Sequence, residues 1–137
     1  MKTDLHLGFN GNCREAFGFY ATVFHSTIEM AMTYGDAPPE VPVDPAAKDL
    51  MMHMSMPLGT MRLMGADAPP GRGGPRGGFM ISLTLDGEAE LRRIFAALSE
   101  GGSVVMPVAP TFWTPLFGMV TDRFGVEWMV SLPMPQR

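Results

Sequence analysis

Apolar and polar positions run along this chain in two successive rounds of the same pattern. Leu5-His6-Leu7-Gly8-Phe9 is a short apolar run closed by Asn10-Gly11, which predicts a first strand. Asn12 then stands where a helix cap is needed, with Glu15 three residues on to complete a capping box. Cys13, Ala16, Phe17, Tyr20, Val23 and Phe24 recur at helical spacing and predict one buried stripe. Residues 27–34 read as a returning strand. Four prolines (Pro38, Pro39, Pro42, Pro45) then exclude both a helix interior and a central strand from residues 35–49. Two further strands are expected over 50–56 and 60–66, paired antiparallel around Pro57-Leu58-Gly59 because their connection is short.

After a glycine-dominated segment at 67–77 the pattern begins again. Residues 79–85 predict a strand, and Asp86-Gly87 breaks it. Leu91, Ile94, Phe95 and Leu98 make a helical stripe at i, i+3, i+4 and i+7, and Gly101-Gly102 ends that helix. Residues 103–108 return as a strand. The last pair flanks Asp122-Arg123-Phe124-Gly125, where Asp opens and Gly closes a tight turn. Phe9 to Ile28 and Leu85 to Val104 are each separated by 19 positions, so the repeat is architectural although the two halves share negligible identity.

Each round is therefore a βαβββ unit, one over residues 5–66 and one over 79–131, within a single domain spanning 1–137. A single helix covers only one face of a four-stranded sheet, so the other face needs a partner. The expected fold is α+β. Two units side by side would form a curved mixed eight-stranded sheet with helices outside and a concave inner surface suited to a small molecule.

Composition adjusts this picture in three ways. A net charge of −4 without any block of like charge offers no footprint for nucleic acid or an anionic membrane, and no run is long enough to span a bilayer. The Arg-flecked Gly71–Gly77 stretch accordingly reads as a mobile loop. Cys13 is the one cysteine, which rules out an intrachain disulfide and suits a reducing compartment; residues 2–4 lead into no signal-type apolar region, so a cytoplasmic location is expected. Methionine, at 14 of 137 residues, is the outlier. Thioether side chains fill strands adaptably, and they also build polarisable pocket walls.

Phe9-Asn10-Gly11-Asn12-Cys13-Arg14-Glu15-Ala16 with Phe19-Tyr20 resembles the opening of the phosphonate-operon-associated branch of the vicinal oxygen chelate superfamily. Thr111-Phe112-Trp113, Phe117-Gly118, Thr121–Val126 and Trp128-Met129 resemble that branch's C-terminal signature. The superfamily includes glyoxalase I, extradiol dioxygenases, and bleomycin- and fosfomycin-resistance proteins. The resemblance implies a glyoxalase-like fold. In its enzymes, His, Gln or Glu side chains from four strands hold a divalent metal and leave sites open for vicinal substrate oxygens.

Carried onto this chain, the first ligand position falls at Leu5 or His6, the second at His53, the third at Met80 and the fourth at Met129. A thioether is a soft, neutral donor poorly matched to zinc, nickel, magnesium or iron. Glu127 shares a strand face with Met129 by alternation and is the remaining carboxylate candidate, beside His6 and His53. Each of these residues also has a structural reading. A histidine in an apolar strand commonly makes only a structural hydrogen bond, and Glu127, next to a turn, suits a solvated carboxylate. His25 follows the first helix's stripe and favours its C-terminus by charge.

Other chemistry is weakly signalled. Cys13 lies at a helix N-terminus but within the apolar stripe, so burial as a small hydrophobe is expected. Ser55, Ser82 and His53 lack any G-x-S-x-G elbow. Arg62 is expected to point outward. The branch often carries a methyltransferase label, yet no glycine-rich strand-to-helix turn is present to cradle a nucleoside cofactor. The expected function is thus binding of a small apolar or amphipathic molecule, lined by His6, His53, Met80, Phe112, Trp113 and Met129. Phe112 and Trp113 would act as a lid, with no cofactor and a degenerate or absent metal site. The alternative is a metal-dependent lyase, isomerase or dioxygenase using His6, His53 and Glu127. A homodimer is expected in either case, with Trp128 on the helix-packed side of its strand.

Overall fold

The computed structural model describes residues 1–134 and divides into two compact units, Met1–Pro75 and Arg76–Arg137. The boundary falls in the glycine-rich segment that separates the two sequence rounds.

The first unit contains β1 (Leu5–Phe9), α1 (Cys13–Val23), β2 (Met30–Thr33), β3 (Met51–Leu58) and β4 (Met61–Asp67). Its sheet has the order β1-β4-β3-β2, with β1 parallel to β4 and the other pairs antiparallel. The second unit repeats this with β5 (Ile81–Thr84), α2 (Glu88–Ser99), β6 (Ser103–Ala109), β7 (Phe117–Thr121) and β8 (Glu127–Ser131), in the order β5-β8-β7-β6. The parallel pair is β5–β8. The α+β class and the doubled βαβββ order hold, and the backbone hydrogen bonds join the eight strands four and four.

The helix stripes bury as their spacing requires. Cys13, Ala16, Phe17 and Tyr20 are fully shielded, as are Leu91 and Leu98. Each helix covers one sheet face. A Cβ built on Gly65 would stand 2.6 Å from Phe17 Cε1, and one on Gly118 would stand 2.9 Å from Phe95 Cε2. The helices therefore approach β4 and β7 closer than any side chain at those positions would allow. These two contacts also identify the opposite face of each sheet, which carries Met64 and Ala66 in β4 and Phe117 and Met119 in β7.

Two local expectations are corrected. Asn12 holds the N-cap position of α1, its carbonyl accepting the Ala16 N–H at 3.0 Å, but its side chain makes no capping bond. Asp67, at the far end of β4, supplies the side-chain bonds: its Oδ1 accepts the N–H groups of Gly11 and Cys13, each at 3.0 Å, and its Oδ2 accepts Met51 N–H at 2.9 Å. A buried carboxylate with three backbone donors satisfies the helix start and also ties it to two strands. The hairpin between β3 and β4 turns at Gly59-Thr60, so Pro57 lies inside β3, paired with Arg62. Proline is tolerated there because β2 pairs with β3 only as far as Ser55, and no ladder bond is lost beyond it. Two short 3-10 turns, Tyr34–Asp36 and Pro45–Ala47, shape the proline-rich excursion.

No helix is long and apolar enough to cross a membrane among the described residues.

Candidate functional site

The open face of the first sheet is assembled by register. Met30, Ser55, Met64 and His6 form one row across all four strands, through the pairs Met30–Ser55, Ser55–Met64 and His6–Met64. Met32 pairs with His53 in the next row. His6 and His53 thereby meet, their ring centroids 6.4 Å apart and their planes inclined by only 24°. Burial, and secondarily the neighbouring His53 imidazole, lowers the His6 pKa below its ordinary value. Two imidazoles this close resist sharing positive charge. Arg62 lies on the same face as Met64, half-buried, and its Nη1 donates to Glu29 Oε1 at 2.7 Å. Its cation is thus matched within the unit by a partly exposed ion pair.

The open face of the second sheet is a methionine row. Ser82 pairs with Met129, Met129 with Met119, and Met119 with Met106. Met80 stands one residue before β5, next to buried Ile81, and is half-buried. Glu127 pairs with Thr121 on the Met129 face and is half-buried. Trp128 is fully buried on the helix side, as its alternation with Met129 requires.

The loop before β7 carries the two expected lid residues, and they differ. Trp113 meets Phe117 edge-on at 5.3 Å between centroids and so lies on the open-face side. Phe112 packs edge-on against Trp113 at 4.8 Å but is 97% exposed, and it covers little. The loop is braced from within. Thr111 Oγ1 accepts the Thr114 N–H at 3.1 Å, and the buried Thr114 hydroxyl donates to the Leu132 carbonyl at 2.8 Å. These bonds tie the loop's Thr111 and Thr114 on either side of Trp113.

Of the expected site residues, the fold joins His6 to His53 in the first unit. It sets Met129 on the open face of the second, with Trp113 in the loop against Phe117. Sequence reading missed Met32 and Met64, the strand neighbours of the histidines. Alternation does put Met64 on the Arg62 face, but only cross-strand register couples it to His6. Among the described residues no three His, Cys, Asp or Glu side chains are gathered to hold one ion. Cys13 is fully buried, and its burial, then the Asp67 carboxylate, pushes the thiol up to about 12. It is no nucleophile at neutral pH.

Two shallow grooves lie away from these residues. One of about 460 Å³ is lined by Asn10, Leu50 and the Ala68–Gly71 backbone. Another of about 510 Å³ lies between α2 and β6, at Phe95, Val104 and Val108. Neither contains the histidines or the methionine row.

The family described as 3-demethylubiquinone-9 3-methyltransferase matches residues 1–131. The chain belongs to that family. Within reach of it is protein PA1353 from Pseudomonas aeruginosa, whose crystal structure is 45% identical over 98% of this chain and 99% of that one, with a TM-score of 0.88. Protein YjdN of Escherichia coli K12 is 28% identical over 144 residues, covering 99% of this chain and 98% of that protein. A glyoxalase/bleomycin resistance protein/dioxygenase family enzyme from Burkholderia phytofirmans shares only 8% identity. It nevertheless matches at a TM-score of 0.67 over 96% of this chain and 98% of its own. The chain thus has a glyoxalase-type fold.

Proposed function

We propose that this protein binds a small apolar or amphipathic molecule on its open sheet faces and that the superfamily's divalent-metal site is degenerate. The observation that carries the reading is the identity of Met80 and Met129. Both stand where the resemblance calls for a hard ligand, and Met129 continues into a row with Met119 and Met106. Flexible, polarisable thioethers suit varied apolar ligands and serve hard divalent ions poorly. Trp113 and Phe117 supply aromatic wall beside the methionine row of the second unit.

Methyl transfer, which the family description names, is not part of this reading. The chain has no glycine-rich strand-to-helix turn for a nucleoside cofactor, and each of its sheets contains one parallel strand pair.

The test is binding of an apolar fluorescent probe, read through tryptophan emission. Trp113→Phe should abolish most of the change, because Trp128 is buried on the helix side. Full retention of the response in that variant would remove Trp113 from the site. A homodimer accompanies the proposal, since each unit leaves an apolar sheet face to cover. Sedimentation at micromolar concentration checks it, and a monomer would refute it.

A second reading rests on the approach of His6 to His53: a metal-dependent lyase, isomerase or dioxygenase that uses these two imidazoles as ligands. Metal analysis of protein purified without chelator separates the two. A stoichiometric zinc, nickel, iron or manganese that disappears in His53→Ala would favour the enzyme.

A further inference from the structure

Four neutral donors with affinity for soft metals share the open face of the first sheet. His6 and Met64 are partners across β1 and β4, and Met32 and His53 are partners across β2 and β3. All four point away from α1. Their strand neighbours Leu7, Met54 and Gly65 face the helix, the first two being 1% and 2% exposed and the third abutting Phe17. The two imidazoles stand 6.4 Å apart between centroids. Two metal–nitrogen bonds of about 2 Å fit between ring nitrogens at that separation.

The charges around this face select the ion. Imidazole and thioether are neutral ligand types. The nearest cation on the face is Arg62, two residues from Met64, and its partner Glu29 is engaged by it at 2.7 Å. Asp67 closes β4 on the helix side, with both carboxylate oxygens occupied by backbone N–H groups. Asp4, two residues before His6, accepts the Arg62 backbone N–H at 2.9 Å and lies 3.9 Å from Lys2 Nζ, so each of these carboxylates already has a partner. A monovalent ion needs less compensation, and thioether with imidazole is the donor set that soft ions prefer.

We propose that His6, His53 and Met64, with Met32 as a fourth donor, bind one soft monovalent cation of the copper(I) or silver(I) class. The site lies wholly within the first unit and does not depend on an organic ligand. It shares His6 and His53 with the divalent centre of the second reading and differs from it in ion and in its thioether donors.

The experiment titrates metal-free protein with silver(I) in chloride-free buffer, and with copper(I) against a chromophoric copper(I) chelator under anaerobic reducing conditions. Stoichiometry is read by native mass spectrometry, and the methionine methyl groups are followed by NMR. One ion per chain is expected, with shifts at Met64 and Met32. His53→Ala and Met64→Leu should each weaken binding roughly tenfold or more, while Met134→Leu and Cys13→Ala leave it unchanged. Met64→Leu conserves volume, so it keeps the sheet folded and remains decisive if His53→Ala does not fold. Wild-type affinity in Met64→Leu overturns the proposal. So does loss of binding in Cys13→Ala, tighter binding of zinc(II) than of silver(I), or no binding of either soft ion.

Discussion

The Asp122 carboxylate accepts the Trp128 indole N–H at 2.9 Å, and both residues are buried. The other oxygen, Oδ1, accepts the backbone N–H groups of Phe124 and Val126 at 2.8 and 3.0 Å. One side chain thus closes the β7–β8 turn and orients the largest aromatic of the second core. Asp122→Ala strands three donors, and a buried unsatisfied donor costs about 1–3 kcal/mol. We expect a loss of about 3 kcal/mol or more in urea unfolding, with collapse of the near-ultraviolet tryptophan signal. Asp122→Asn should be only partly tolerated, because an amide N–H turned to the indole cannot accept its proton.

Asp67 holds the equivalent responsibility in the first unit, and its variants separate a true cap from an apparent one. Asp67→Ala should destabilise by about 3 kcal/mol through the freed N–H groups of Gly11, Cys13 and Met51. Asn12→Ala should stay within about 0.5 kcal/mol, since its side chain makes no capping bond. Chemical denaturation of the two variants side by side checks the pair. A large loss in Asn12→Ala would show the capping assignment to be wrong.

His25 has a φ of 50°, in the left-handed region, directly after α1. Ser26 N–H bonds to the Ala21 carbonyl and His25 N–H to that of Thr22, the Schellman arrangement in which glycine is preferred. The strain of a side chain there exceeds the extra unfolded-state freedom that glycine brings. His25→Gly should therefore raise stability by about 0.5 kcal/mol, seen as a higher Tm. A lower Tm would mean that the imidazole contributes through its charge at the helix end.

Burial holds the Cys13 thiol protonated up to about 12, above its ordinary value. The unfolded chain releases this proton first as pH rises, so the folded state binds more protons between roughly pH 9 and 12. Stability should then fall with increasing pH in that window, by at most about 1.4 kcal/mol per pH unit from this group. Cys13→Ala should flatten that slope, and native protein should resist alkylation at pH 8. Rapid modification at pH 8 without unfolding would contradict the burial.

Much of this was legible beforehand. The stripes Cys13–Ala16–Phe17–Tyr20–Val23 and Leu91–Ile94–Leu98 report local periodicity and bury as they read, while Phe24 and Phe95, which the same spacing includes, are only half-buried. The Asp-to-Gly turn of the last hairpin was also plain. The capping box at Asn12 and Glu15 does not form, and a carboxylate 54 positions away in sequence from Cys13 binds the neighbouring N–H groups of the helix start instead. No local pattern registers such a partner. Phe112 and Trp113 are adjacent in sequence, but Trp113 meets Phe117 while Phe112 is 97% exposed, a difference set by the loop's placement against β7.

The sequence by itself determined the two βαβββ rounds, the buried face of each helix and the side of its strand that Trp128 takes. These follow from repeats of two and of 3.6 residues, which are properties of neighbouring positions. Tertiary structure decided which carboxylate caps α1, that Arg62 is matched by Glu29, and that His6 lies beside His53 with methionines as strand partners. Those outcomes depend on cross-strand register. A slip of one residue would move an entire strand's side chains to the other face, and the buried rows against α1 and α2 select the register that holds.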